Sequence, residues 1–283
     1  MKQGVTTLGA VFRPQAPPER LRGVVRAAEE SGLDQLWVWE DCFFESGIAT
    51  AAAALAWTER LKVGVGLLPV PLRNVALTTM EAATLYRLFP DRALLALGHG
   101  VQDWMGQVGA RVDSPVTLLR EYVTAMRALL AGKRVTTDGR YVKLRDVALD
   151  WPPATVPPLI AGATGPRSLK LCGEVADGTL LTAATTVDML RQARQLIDQG
   201  RAAAGRTDDH QVIVYLAAAT GEGAAERVAA DNEGVAGTAE DIAAAVRQLA
   251  EAGADTVVLQ PTSDEPDPEG FVRFVGQEVR PLI

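Results

Sequence analysis

The feature that most constrains this chain is an alternation, repeated eight times, of a short apolar segment with a segment of helical periodicity. The short segments are rich in β-branched and aliphatic residues, as buried strands are. Helix starts are marked at Ser114, Thr186 and Thr238, and Gly253 marks the end of the helix that follows Thr238. The eight predicted strands cover residues 5–12, 35–39, 61–68, 91–97, 159–161, 177–181, 211–217 and 256–260.

Right-handed crossovers from each strand to the next close eight such units into an α/β fold, the (β/α)8 TIM barrel. A doubly wound open sheet is the alternative. That fold favours a GxGxxG turn after its first strand, whereas residues 13–17 read Arg-Pro-Gln-Ala-Pro. We therefore predict one barrel domain over residues 1–283. The alternation breaks over residues 132–157, where a turn at Asp138-Gly139 predicts a small hairpin inserted before the fifth strand.

Charge and composition restrict the class of partner. The formal net charge is −7 without any block of basic residues, which argues against nucleic acid and against an anionic membrane surface. No apolar run reaches the roughly 18 residues of a spanning helix, and residues 1–4 lead into a strand rather than a signal peptide. We expect a cytoplasmic protein that binds a small molecule. No metal site is expected, because the metal-binding side chains are sparse: Cys42, Cys172, His99 and His210.

Residues 156–168 contain a short apolar strand, a glycine turn and a helix that begins at Pro166. The free amides at a helix N-terminus favour an anion, and Arg167 adds a positive charge beside them. A phosphate or carboxylate of an anionic cofactor would be held here. The alternative is an ordinary strand-to-helix turn, and this stretch alone leaves both interpretations open.

In a TIM barrel the functional residues lie at the carboxyl ends of the strands. These ends contain no GxSxG, no HExxH and no carboxylate cluster, so the residues for nucleophilic and metal-assisted hydrolysis are missing. They do offer glycine at three successive ends and few charges. A flat aromatic cofactor would suit the apolar side chains expected there, which are Trp37, Trp39, Leu67, Leu68, Trp104 and Met105.

Five groups of residues form an ordered series of motifs along nearly the whole chain. They are GLDQLWVWED at 32–41, RLKVGVG at 60–66 with Arg73-Asn74, LGHGV at 97–101, LDWPP at 149–153, and GPR at 165–167 with GEVADG at 173–178. Their order and spacing resemble those of the bacterial luciferase-like flavin and deazaflavin oxidoreductases, in the branch that uses coenzyme F420.

The resemblance implies that F420 binds in the barrel mouth, with FMN as the alternative cofactor. A bulge with a non-prolyl cis peptide at Gly66-Leu67 would back the ring. The residues implied at the ring are Asp41, Gly66, Leu67, Leu68, His99 and Gly100. The phosphate is expected at the stretch already favoured for an anion, namely Ala163, Thr164, Gly165, Pro166 and Arg167.

Two positions depart from some family members. Cys42 stands where those members have a histidine after the aspartate of the second strand, and Val101 stands where they have a glutamate. The acid-base pair of the relatives that oxidise sugar phosphates is therefore absent. A sugar phosphate is not the expected substrate.

The implied chemistry is hydride transfer between the deazaflavin and a carbon of an unidentified small organic substrate. A polarised double bond also needs a proton; His99 is the first candidate donor and Glu40 the second. The alternatives are a loop histidine at 99, a helix-capping Asp41 and a structural Glu40, while His210 is expected to be exposed. Two other functions stay open: an FMN-dependent luciferase-like monooxygenase, and a flavin-binding barrel without catalysis. The oligomeric state stays open, with a homodimer as one candidate because relatives in the family are often dimers.

Overall fold

The computed structural model of the chain describes residues 7–231 and 234–283. Its strands are β1 (Thr7–Val11), β2 (Gln35–Val38), β3 (Lys62–Pro69), β4 (Ala93–Gly98), β5 (Val135–Asp138), β6 (Lys143–Val147), β7 (Ile160–Gly162), β8 (Gly178–Leu181), β9 (Gln211–Ala219), β10 (Val235–Ala236) and β11 (Thr256–Gln260). Its α-helices are α1 (Leu21–Glu30), α2 (Gly47–Ala56), α3 (Val75–Leu88), α4 (Gln102–Gln107), α5 (Pro115–Leu130), α6 (Pro166–Val175), α7 (Val187–Ala203), α8 (Ala224–Asp231), α9 (Ala239–Ala252) and α10 (Pro268–Phe274).

Eight of the strands form a closed parallel barrel. The cyclic order is β1-β2-β3-β4-β7-β8-β9-β11, and β11 pairs with β1 to complete the ring. The two-residue β10 pairs with β9 outside this ring. The closed sheet confirms the predicted TIM barrel and rules out the open doubly wound alternative.

Apolar side chains pack on both faces of the barrel wall because successive strand residues point to opposite sides. The larger cluster lies between the strands and the surrounding helices. A smaller cluster fills the inside of the barrel and consists of Val11, Trp37, Ala96, Ile160, Leu180, Ile213, Tyr215 and Val258. Trp37 was expected at the rim, but its side chain is fully buried in this inner cluster.

The helix signals in the sequence are confirmed. The side chain of Ser114 caps α5, Thr186 caps α7, and Thr238 forms a reciprocal capping box with Asp241 at the start of α9. Gly253 ends α9 in the left-handed conformation, with a φ of 114°. No helix in the described part of the chain is long and apolar enough to cross a membrane.

The predicted hairpin is also confirmed, as the antiparallel pair β5–β6 within residues 132–157. One side chain holds it against the barrel, because the carboxylate of Glu121 on α5 accepts hydrogen bonds from three consecutive amides in its turn. These are the amides of Arg140, Tyr141 and Val142, at 2.8 to 2.9 Å.

Further details of the sequence predictions differ from the structure or lie outside the described residues. The first strand was predicted to start at residue 5, which lies outside the described residues; the described strand starts at Thr7. The helices α4, α8 and α10 were not predicted, because each is short and lacks a long apolar repeat. His210 was expected to be exposed but is only 9% exposed, and its Nε2 lies 2.8 Å from the hydroxyl of Thr179.

Candidate active site

A cavity of about 450 Å³ opens at the carboxyl ends of the barrel strands. This is the size of a small-molecule site and the end of the barrel at which such sites form. Its wall is mostly apolar and comes from the ends of β2, β3, β4, β7, β8, β9 and β11. Most of the site residues proposed from the sequence line this cavity, namely Glu40, Asp41, Gly66, Leu67, His99, Gly100, Ala163 and Thr164.

The inner part of the cavity is built around Leu67. A β-carbon added to Gly98 or to Gly162 would lie 2.4 Å from Cδ2 of Leu67, so the two glycines on neighbouring strands make the space for this side chain. The pairing of β3 with β4 shifts register between Val65 and Leu68, and the Gly66-Leu67 peptide is cis, as the resemblance implied. Leu68 points the other way into the core and is fully buried.

Tyr215 on β9 lies opposite this bulge. Its hydroxyl donates a 3.1 Å hydrogen bond to the carbonyl of Gly66, and its ring contacts Trp39 with 5.8 Å between ring centroids. Burial raises the pKa of the Tyr215 phenol, so the phenol keeps its proton at neutral pH. The bond joins two opposite walls of the barrel and fixes the carbonyl side of the bulge.

Glu40 is engaged in a buried ionic network. Its carboxylate accepts hydrogen bonds from Nη1 of Arg73 at 2.9 and 3.1 Å and from the amide of Gly47 at 2.9 Å. Arg73 also pairs with Glu81 through Nη2 and donates to the hydroxyl of Thr78 through Nε. Glu40 is only 9% exposed. Because its carboxylate binds the amide of Gly47, the first residue of α2, the network fixes the start of that helix.

Asp41 lies in the cavity wall one residue further along. Burial raises the pKa of its carboxyl, and the guanidinium of Arg13 opposes that rise. Arg13 does not form an ion pair with Asp41, since its Nη1 contacts Asp231 Oδ2 at 3.2 Å and the carbonyl of Pro261 at 3.0 Å. The guanidinium lies 5.4 Å from the ring centroid of Trp39, in a cation–π contact.

His99 follows β4 and connects it to α6. Its Nε2 lies 2.9 Å from Oγ of Ser168, in the first turn of that helix. Burial lowers the pKa of His99, and a backbone carbonyl at Pro115 acts weakly in the other direction, so the imidazole is neutral at pH 7. Its Nδ1 is buried, and although the Pro115 carbonyl is near enough to act on the ring, no atom of the described residues meets hydrogen-bond geometry with Nδ1. The roles of His99 and Glu40 in proton transfer remain predictions.

The N-terminus of α6 continues the same wall. Gly165 occupies the N-cap position and Pro166 the first helical position, and no side chain caps the free amides. Arg167 is exposed beside them and forms no ion pair within the described residues. Ala163 and Thr164, which precede this turn, line the cavity. The stretch that was predicted to bind an anion therefore adjoins the apolar cavity; anion binding there remains a prediction.

The sequence profile of the luciferase-like monooxygenases matches residues 1–255, which is most of the chain. This protein belongs to the luciferase-like monooxygenase family. Among its curated relatives is a 5,10-methylenetetrahydromethanopterin reductase of Methanolobus tindarius, 32% identical over 200 residues. The matched part is 71% of this chain and 61% of that relative.

A second relative of this luciferase-like protein is an F420-dependent glucose-6-phosphate dehydrogenase of Kineococcus radiotolerans. It is 31% identical over 210 residues, which cover 69% of this chain and 61% of the relative. The match therefore spans somewhat under two thirds of the length of each of these curated proteins.

Two solved structures share the fold of this luciferase-like protein. One is an F420-dependent secondary alcohol dehydrogenase in complex with an F420-acetone adduct, with a TM-score of 0.86, 21% identity, and coverage of 99% of this chain and 98% of that one. The other is the oxygenating constituent of 3,6-diketocamphane monooxygenase of Pseudomonas putida in complex with FMN, with a TM-score of 0.81, 16% identity, and 98% coverage of both chains. With sequence identities of 21% and 16%, these two similarities establish a shared fold.

Sequence reasoning about this luciferase-like protein missed Tyr215 and the part played by Ser168. The alternation along β9 contained the signal for Tyr215, because Ile213 and Tyr215 point inward while Val212 and Val214 face the helices. No local signal marks the contact between Ser168 and His99, which lie 69 residues apart.

Proposed function

We propose that this protein is an oxidoreductase that transfers a hydride between coenzyme F420 and a small organic substrate at the barrel mouth. The observation that carries the proposal is the continuity of the apolar cavity with the uncapped N-terminus of α6 through Ala163 and Thr164. The planar ring of a cofactor would occupy the apolar cavity, and the phosphate on the cofactor's tail would bind at the helix N-terminus. The family membership and the F420-dependent relatives support the same cofactor.

The residues present fit this cofactor. Leu67 and Tyr215 provide an apolar, fixed floor against which a flat ring would rest. Asp41, His99 and Gly100 would border the ring, since all three line the cavity. The tail would be held at the stretch predicted from sequence, which is Ala163, Thr164, Gly165, Pro166 and Arg167.

When bound, a deazaflavin supplies a carbon that gives or takes a hydride. The chain itself contributes position, because the wall around Leu67 is closely packed and the Tyr215 bond fixes the bulge. Its mostly apolar lining would leave few polar groups to hold water beside a bound ring. His99 bonds to Ser168 and Glu40 bonds to Arg73, and these two bonds fix the position of the wall.

The substrate is expected to be a small, neutral organic molecule. Val101 and Trp104 line the outer part of the cavity, and no cation lies in the wall among the described residues. A phosphate or carboxylate on the substrate would find no partner there. Enones, imines and nitro compounds are therefore the classes to screen with reduced F420.

A specific observation keeps FMN as the second candidate cofactor, since the structurally similar camphane monooxygenase holds FMN in the same fold. FMN also carries a phosphate for the α6 N-terminus. Titration of the protein with F420 and with FMN separates the two. Binding of either without turnover of any acceptor would instead favour a flavin-binding barrel without catalysis. The homodimer remains a prediction, to be tested by light scattering of the purified protein.

A further inference from the structure

Four titratable side chains line the cavity, and three of them are already bonded. Glu40 is fixed by Arg73 and by the amide of Gly47. The hydroxyl of Tyr215 donates to the carbonyl of Gly66. His99 uses Nε2 with Ser168, and its Nδ1 is shielded from solvent. None of these three groups presents a free proton-exchanging atom to the cavity.

The fourth group is Asp41. Its carboxylate makes no hydrogen bond or ion pair with any other residue in the described part of the chain, although it lies in the cavity wall. Polar groups that are partly buried are normally bonded, so an unbonded carboxyl at a cavity surface is available to a ligand.

The surroundings of Asp41 act on its pKa in two directions. Burial raises the pKa of Asp41 and Arg13 lowers it, but Arg13 is held by Asp231 and does not bond to Asp41. The other groups that face Asp41 are Cys42 and Tyr215, and burial raises the pKa of both, so they are uncharged at neutral pH. Neighbouring Glu40 is paired with Arg73. Arg13 is therefore the charge that tunes Asp41.

We infer that Asp41 is the group that gives and takes the proton in the reaction of this site, an inference that rests on the proposed hydride transfer. In the reducing direction, one atom of the substrate double bond accepts the hydride and its two electrons from the reduced deazaflavin. The other atom accepts the proton of the Asp41 carboxyl. The substrate is reduced, the deazaflavin is oxidised, and the Asp41 carboxylate recovers a proton from solvent. In the oxidising direction the carboxylate takes the proton.

The first test measures Asp41 directly, in protein without cofactor. Carbon-13 NMR of aspartate-labelled protein, with Asp41→Asn assigning the resonance, should show a carboxyl that titrates above the ordinary aspartate range. Arg13→Gln should raise its titration midpoint further, and Arg13→Lys should restore it, because only the charge is retained in the second variant. A midpoint in the ordinary range, or one that ignores Arg13, would overturn the inference whether or not the protein binds F420.

The second test measures turnover with the best acceptor from the screen, starting with cyclohexenone. Because Asp41 borders the proposed ring site, Asp41→Asn is measured at saturating F420, where it should lose roughly 10²- to 10⁴-fold in kcat, as expected when a general acid is removed. Asp103→Asn is the matched control, since this α4 carboxylate is exposed and paired with Arg111. Turnover within threefold of native would contradict the inference. A change confined to F420 affinity, with kcat at saturating F420 unchanged, would also contradict it, because Asp41 would then be a cofactor contact only and the proposed function would stand.

Discussion

The imidazole of His99 and the hydroxyl of Ser168, 2.9 Å apart, join the carboxyl end of β4 to the first turn of α6. Ser168 is 9% exposed, so the bond is shielded from water. It connects the part of the site proposed for the ring with the part proposed for the phosphate. A change at either residue should therefore affect both parts.

Ser168→Ala tests this connection. It should lower the free energy of unfolding by about 1 to 2 kcal/mol, because His99 loses the one side-chain partner it has among the described residues, in a buried position. F420 affinity should fall as well, since the start of α6 is no longer held. Urea unfolding and cofactor titration measure the two effects. Thr84→Ala is the control, because that exposed hydroxyl bonds only within its own helix. Native values for both quantities in Ser168→Ala would contradict the account.

The space around Leu67 gives a second prediction. In Gly98→Ala the new methyl group would lie 2.4 Å from Cδ2 of Leu67, and we expect a loss of about 1 to 3 kcal/mol in the free energy of unfolding. Adding Leu67→Ala should recover part of this loss, so a double-mutant cycle should show coupling. Gly165→Ala is the stability control, since a β-carbon there meets no atom within 4 Å. Additive effects of the Gly98 and Leu67 changes would show that they do not share this space.

His210 predicts how stability depends on pH. Burial and three nearby arginines lower its pKa to about 4, whereas an unfolded histidine titrates near 6.5. Between these two pH values His210 is protonated in the unfolded chain but not in the folded chain. The free energy of unfolding therefore falls as the pH drops from about 6.5 towards 4. The full effect is about 3 kcal/mol. His210→Gln should flatten this part of the curve, measured by urea unfolding at several pH values. His99 is present in both proteins, so its contribution cancels. An unchanged slope would contradict the prediction.

Arg167 is predicted to contribute charge to the proposed phosphate site. Arg167→Ala should weaken F420 binding about fivefold at low ionic strength, as expected for an exposed charge at a helix N-terminus. The difference should shrink as salt is added. Arg191→Ala is a suitable control, because that exposed arginine on α7 pairs with Asp188. Equal dissociation constants for the native and Arg167→Ala proteins at low salt would place the phosphate elsewhere.

The barrel could be predicted because its signals are local. Strands buried on both faces are apolar runs, and the caps at Ser114, Thr186 and Thr238 depend on residues within one turn. Local signals did not predict the short helices α4, α8 and α10 or the burial of His210. His210 is buried beside Thr179, with which it forms a hydrogen bond. The two residues lie 31 positions apart in the sequence, so no local pattern indicates this contact.

The site was only partly predictable for the same reason. Its position followed from strand order, so Asp41, Leu67 and His99 could be placed at the mouth before the structure was known. Their bonding states could not be predicted. Glu40 is paired with Arg73, whereas Asp41 next to it has no bond to another side chain in the part of the chain that the structure describes. This difference depends on residues brought together from different strands and loops.

The most direct test of the central claim is equilibrium titration of the purified protein with F420 and, separately, with FMN, followed by the change in cofactor fluorescence. The account predicts saturable binding of F420 that is tighter than the binding of FMN. It also predicts oxidation of the reduced, bound F420 by at least one enone, imine or nitro compound. Tight binding of FMN without binding of F420 would contradict it.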